Sequence, residues 1–293
     1  MTSDLPPADT PAVGSIGRRR PRLSDVETER RMLQTAAKAL TEAGLTVSLE
    51  HVRMEDVIRE AGVSRSAVYR RWPHKDMFLG DLLLELAGSV HEATQAGHDV
   101  GNEAVRRVLL GRFDELRTPE GRRQLVVDLA SEAALADFLE DQYSNQWRTY
   151  LALTMTLVSL PEGKLRDDLR ASLAASEQAL TERVAYNYSV IAGLLGLRPR
   201  PDSGTTFATI ARLGKAVMIG LIIESFATPD VTAERVRGEL FGQQGAWSLP
   251  ALGVTSLTLT FLEPDPDVEW DDARLAQLRE RLEAGDDLFA PPS

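Results

Sequence analysis

The chain reads as all-α, and three observations predict it. Apolar residues recur at helical spacing through most of the sequence. The starts of those stretches carry N-cap chemistry, with Ser or Thr ahead of the first turn. Strand-like alternation is nearly absent, and its one instance, "VTSLTLTFL" at 254–262, fits either type.

The elements follow in order. Residues 1–17 are rich in Pro, Gly, Ser and Asp, and "RRRPR" ends this stretch at 22, so 1–23 reads as a disordered arm with a basic end. That end is either a solvated tail or an arm that touches phosphates or a minor groove. "SDVE" at Ser24 is a capping box that opens a first helix, with Val26, Leu33, Ala36, Ala37 and Leu40 at helical spacing. Gly44 is its expected stop, and 45–52 reads as a loop. Met54 to Ala61 forms a short second helix, with Val57 and Ile58 inward. Gly62 supplies a turn, Ser64 caps a third helix, and Pro73 ends it. A fourth helix starts at Pro73 or His74.

Beyond residue 88 the pattern stays helical. "TPEG" at 118–121 is a cap followed by Pro at the first helical position. Apolar periodicity runs through 122–158 and again through 164–196, and "RPRPDSG" breaks the chain at 198–204. A helix from about Thr205 to Ala227, a Gly-rich loop at 242–253 and a last helix near 270–284 complete the reading. This gives a helix-turn-helix domain at 24–87 and a larger helical domain at 88–293.

Composition narrows the function. The 293 residues contain no Cys, which excludes disulfides and thiolate metal sites. Apolar runs are too short to cross a bilayer, and residues 1–20 lack the apolar core of a signal peptide, which points to a cytoplasmic protein without membrane partners. Net charge is −11, yet residues 18–75 are net positive by five while 77–293 are net negative by thirteen. A local basic patch matters more for binding an anion than the total. Arg also outnumbers Lys, 29 to 4, the bias of a GC-rich genome.

The basic patch centres on "AGVSRSAVYRRWPHKD" at 61–76. Ala67, Val68 and Trp72 can face inward, while Ser64, Arg65, Ser66, Tyr69, Arg70 and Lys75 can face outward. Two short helices around a Gly turn, the second with a small, polar and cationic outer face, suit the major groove of double-stranded DNA. A solvated basic helix pair is the plain alternative.

The same stretch resembles the signature of the tetracycline-repressor-type (TetR) family of transcriptional regulators. The matching residues are Ala61, Gly62, Val63, Ser64, Ser66, Ala67, Val68, Tyr69, Arg71, Trp72, Lys75 and Asp76, and "RRMLQTAAKALTEAG" resembles the family's first helix. The resemblance covers about residues 24–87. It implies base reading by Arg65, with phosphate contacts from Tyr69, Arg71 and Lys75, while Arg70 can reach either. Trp72 is expected in the core. Three departures stand out: Ile58 replaces a usual Ala, Arg53 replaces a usual Ser or Thr and offers a phosphate contact instead, and the loop after Gly44 is longer.

The resemblance also implies that the larger domain binds a small-molecule effector and forms a homodimer, and that two recognition helices read a palindromic operator. On this reading the effector releases a repressor. The helix near 205–227 is the candidate interface, through Ala211, Gly214, Met218 and Leu221, with Ala208 and Ser225 on the same face; an internal core helix is the alternative. Trp147 and Tyr150, near Phe138, Tyr143 and Gln146, line either an effector pocket or plain core.

Other chemistries find little support. The histidines are His51, His74, His91 and His98, and the last two are too far apart along a helix to share a metal. No phosphate loop, nucleophile elbow or zincin pattern occurs, so no enzyme and no cofactor is expected. "EPDPDVEWDD" at 263–272 lacks the Gly of a calcium loop and reads as a solvated cap on the last helix. The rival reading is a helical dimer that binds a small molecule or a partner and keeps a vestigial DNA-binding domain.

Overall fold

The computed structural model describes residues 23–43, 52–93, 98–285 and 287–289. The basic arm, the loop after Ala43 and His51 lie outside the described residues, as do the side chains of His91, His98, Tyr143 and Gln146.

The fold is all-α. The first four helices are α1 (Asp25–Ala43), α2 (Met54–Ala61), α3 (Arg65–Arg71) and α4 (Lys75–Ala93). The Ser24 hydroxyl accepts the Glu27 backbone N–H at 3.1 Å and caps α1. The other half of the expected capping box does not form, because Arg30 and Arg31 both take the Glu27 carboxylate. Met32, Leu33, Ala36, Ala37 and Leu40 of α1 meet Val57 and Ile58 of α2, Val68 of α3, and Trp72, Phe78, Leu82 and Leu86 in one core. Trp72 is fully buried, edge-on to Phe78 at 5.2 Å, and its indole N–H bonds Asp81 at 2.8 Å.

That core continues into Leu153, Leu169 and Leu173, which belong to α7 (Asn145–Ser159) and α8 (Lys164–Leu194). The expected domain boundary after residue 87 falls inside α4, which runs on unbroken to Ala93. One helix therefore serves both parts of the chain.

Between them lie α5 (His98–Gly111), a 3₁₀ turn and α6 (Pro119–Tyr143). Thr118 caps α6 by accepting from the Gly121 N–H at 3.0 Å, with Pro119 in the first turn. The apolar stretch at 122–158 is two helices, because the Ser144 hydroxyl takes the Trp147 N–H and starts α7 there.

The C-terminal part holds β1 (Leu197–Pro199), α9 (Phe207–Ala227), β2 (Arg235–Leu240), β3 (Gln243–Ser248), α10 (Leu249–Phe261), β4 (Leu262–Pro264) and α11 (Asp272–Glu283). The expected loop at 242–253 is instead β3 and the first turn of α10. β2 and β3 form an antiparallel hairpin whose two-residue turn, Phe241–Gly242, has φ of 56° and 81°. Positive φ at both turn positions matches the twist of the flanking strands. Residues 254–261 are helix, and 262–264 pair with β1. Glu263 and Asp265 bind Arg198, and the Asp271 carboxylate accepts the Arg274 N–H at 2.8 Å, so the acidic run does cap the last helix.

α9 packs against α8, α10 and α6. Ala211, Gly214 and Met218 are buried in the chain's own interior, and Met218 and Leu221 join Ala134, Phe138, Ile222 and Val254 in a core. The face expected to meet a second copy is therefore turned inward. The outward face carries Leu213, Gly220, Ile223 and Phe226, the last two 49% exposed.

Candidate nucleic-acid interface

The turn between α2 and α3 is built by Gly62. Its φ is +65°, in the left-handed region, and its N–H closes α2 on the Ile58 carbonyl. A Cβ is disfavoured in that region, so Gly suits the position. The backbone then extends to Ser64, the N-cap of α3. Its hydroxyl does not cap; it pairs with the Ser66 hydroxyl at 2.8 Å. Ile58 is buried in the core between α2 and α3, and Arg53 is exposed at the N-cap of α2 with no side-chain cap bond.

Val68 is buried and Ala67 half-buried, while Ser64, Arg65, Ser66, Tyr69 and Arg70 are exposed. This inward and outward division is the one expected. The cations are not free on the surface. Arg65 pairs with Glu55 of α2 at 2.9 Å, and the Tyr69 hydroxyl donates to the same carboxylate at 2.6 Å. The Tyr69 and Arg65 hydrogen bonds, in that order, hold the Glu55 carboxyl below its ordinary value. Arg70 pairs with Asp25 of α1.

Arg71 differs. It bonds Glu29 at 2.9 and 3.1 Å and Asp81 at 2.9 Å, and it lies 5.2 Å over the Trp72 ring. It ties α1, α3 and α4 together and lies half-buried. Lys75 is half-buried at the first turn of α4. The structure thus gathers Arg53, Ser64, Arg65, Ser66, Tyr69 and Arg70 on the surface around the turn and gives Arg71 a bracing position. The counter-ions Asp25, Glu29, Glu55 and Asp81 escape a sequence reading, because their partners lie on other helices.

Trp147 and Tyr150 stand elsewhere, on α7. Their rings meet edge-on at 5.4 Å, both half-buried. Tyr150 packs against the N-terminal core, while the Trp147 side chain lies near Asp141 of α6 and lowers its pKa. A separate open cleft of about 230 Å³, lined by Ser131, Leu135, Gln244 and Trp247 among others, lies between α6 and the hairpin. Among the described residues no cluster of His, Asp and Glu could hold a metal, and no helix is long and apolar enough to cross a membrane.

No family model matches the chain. Among curated proteins, the chain is 32% identical over 92 residues to an uncharacterized HTH-type transcriptional regulator of Mycobacterium bovis. Regulators of the same description from two strains of Mycobacterium tuberculosis match at the same identity and length. The matched segment is 31% of this chain and 46% of each relative, so the chain spans about half the length of the curated relatives it matches. The class defined by α2, the Gly62 turn and α3 is a helix-turn-helix protein, and these relatives carry the same term in their description.

Proposed function

We propose that this chain is a sequence-specific DNA-binding transcriptional regulator of the TetR type, acting as a homodimer on a palindromic operator. The observation that carries the reading is the α2–Gly62–α3 unit. Its apolar residues are buried in one core and its outer face presents Arg65, Ser66, Tyr69 and Arg70. The relatives' description as HTH-type transcriptional regulators supports the same class. Arg65 can bond a guanine through O6 and N7, while Arg53, Tyr69, Arg70 and Lys75 contact phosphates. Arg71 acts indirectly, by holding α3 on α1 and α4.

On this reading the chain is a repressor and a small-molecule effector releases it. The shared helix α4 couples the two parts: a ligand that prefers one arrangement of the larger part shifts the population of α3 positions. The dimer forms through the outward apolar face of α9, at Leu213, Ile223 and Phe226, with Gly220 permitting close approach.

Fluorescence anisotropy tests this. Purified protein is titrated with DNA from its own upstream intergenic region and with an unrelated duplex, at two salt concentrations. Tight, salt-sensitive binding to the first duplex only, weakened by Arg65→Ala, is the expected result. Equal weak binding to both duplexes at both salts would sink the reading and favour a helical dimer with a vestigial DNA-binding part.

A further inference from the structure

α6 and α8 both pack on α9 but scarcely on each other. We read the space between them as a cleft floored by α9, with α7 packing on both. Along α8, every residue from Arg183 to Ile191 is half-buried, with no fully buried face. A helix in the middle of a packed chain shows that pattern when one side borders open space.

The polar groups facing this cleft do not satisfy one another. Asp137 and Asp141 stand four residues apart on α6, hence on one face with Cβ atoms about 5–6 Å apart. Both interact electrostatically with Arg183 of α8, and Asp137 also with Tyr188. Yet among the described residues neither carboxylate comes within 4 Å of a cation. Asn187 follows Arg183 by one turn on the same face, and its side-chain oxygen is buried without a hydrogen-bond partner. The Gln142 side-chain oxygen beside Asp141 is buried and unpartnered as well, in a residue 8% exposed. The Tyr188 ring reaches across to α9, where its hydroxyl lies 3.1 Å from the place a Cβ on Gly214 would take.

The carboxylates feel their neighbours. Desolvation, with the neighbouring acids, pushes Asp137 up to about 6 and Asp141 up to about 7, despite the opposing influence of Arg183 on both and of Trp147 on Asp141. Asp137 is nevertheless exposed, and Asp141 half-buried. Both carboxylates can therefore be reached from solvent, on the side of α6 that faces Arg183. The cleft has too little positive charge for its acids, and Lys215 of α9 does not supply it, being tied to Glu177.

We propose that this cleft binds an organic ammonium ion, its charged head between Asp137 and Asp141 and its apolar body against Trp147 and Tyr188. The head donates charge-assisted hydrogen bonds to both carboxylates, and the indole face adds a cation–π contact. Asn187 offers a further acceptor. The site names the chemical class of the effector, and in that respect rests on the effector reading above; the binding itself does not depend on DNA.

Calorimetry on the full chain at pH 8 tests the site, with phenethylamine as probe and 2-phenylethanol as its neutral counterpart. The amine is expected to bind with one site per chain, and the alcohol at least about tenfold more weakly. Asp137→Asn and Asp141→Asn should each weaken the amine by about tenfold or more, and Asp230→Asn, at an exposed position outside the cleft, should not. The amine should also bind more weakly at pH 5, where Asp137 and Asp141 are protonated, with Glu140, Arg183 and Tyr188 the other ionisable groups around them. Equal binding of amine and alcohol, no saturable amine binding, or binding indifferent to both Asn variants would each overturn the proposal. Thermal melts confirm that the variants fold. Anisotropy on operator DNA with the amine present separates the two readings: amine binding without DNA release upholds the site and removes the effector role.

Discussion

Glu55 on α2 holds the Arg65 guanidinium of α3 at 2.9 Å. The same carboxylate takes the Tyr69 hydroxyl, so one acid tethers two groups of the candidate DNA face. An Arg that reads a base must leave this partner, and a phosphate approaching Tyr69 meets a like charge. Glu55→Gln should therefore strengthen DNA binding, by about three- to tenfold at low salt, with a smaller gain at high salt. Arg65→Ala should cost about 1–3 kcal/mol on the specific duplex and little on an unrelated one. Anisotropy on both duplexes checks the pair; weaker binding by Glu55→Gln would show that the carboxylate positions Arg65 for DNA.

Arg71 predicts the opposite pattern to Arg65. Its bonds to Glu29 and Asp81 join three helices, whereas Arg65 touches a single exposed acid. Arg71→Ala leaves two carboxylates without their partner and should lower stability by about 1–2 kcal/mol. Arg65→Ala should leave the melting temperature within error. Thermal melts of the two variants side by side decide this, and equal melting temperatures would count against the bracing role.

Gly62 gives a backbone test. Its φ of +65° lies where a Cβ costs about 1–2 kcal/mol, although no atom stands in the way of that Cβ. Gly62→Ala should thus destabilise by strain alone, and Gly62→Asn, which tolerates this region better, should recover part of the loss. Denaturant melts with an unchanged slope are the readout.

The outward face of α9 bears on assembly. Ile223→Glu places a charge on the exposed apolar face and should yield a monomer in light scattering without loss of helical content. Met218→Ala lies inside the chain and should cost about 2–5 kcal/mol of stability through its cavity. A dimer that survives Ile223→Glu would move the interface elsewhere.

What could be read from the sequence follows from where each signal resides. The Gly62 turn and most apolar positions of α1 to α3 were legible because turn chemistry and helical spacing are local; Val26, in the first turn of α1, is instead 76% exposed. Trp72 in the core and the Thr118 cap were legible for the same reason. α9 was found as a helix, but its apolar residues run nearly all round it, so periodicity could not choose its inward face. Small residues there suggested a second copy, whereas Gly214 instead makes room for Tyr188 of the same chain. The β2–β3 hairpin escaped because "RVRGEL" and "QQGAWS" are polar and mostly exposed, with no alternation to detect. Asp137 and Asp141 look like any solvated helix face until α8 is brought opposite them.

That opposition has a consequence for stability that needs no ligand. Burial raises both carboxyls above the ordinary 3.8, Asp137 to about 6 and Asp141 to about 7. The folded chain then binds more protons than the unfolded chain between about pH 4 and pH 7, so this pair makes stability fall as pH rises through that window. Asp137 is exposed and Asp141 half-buried, and solvent screens the effect to the order of 1 kcal/mol. The double variant Asp137→Asn with Asp141→Asn removes the charge but keeps the shape and polarity of both side chains. It should raise the melting temperature at pH 8 by about 2–4 °C and change it little at pH 4. A gain of equal size at both pH values would mean that shape, not charge, accounts for it, and a loss at pH 8 would mean that Arg183 already balances the pair.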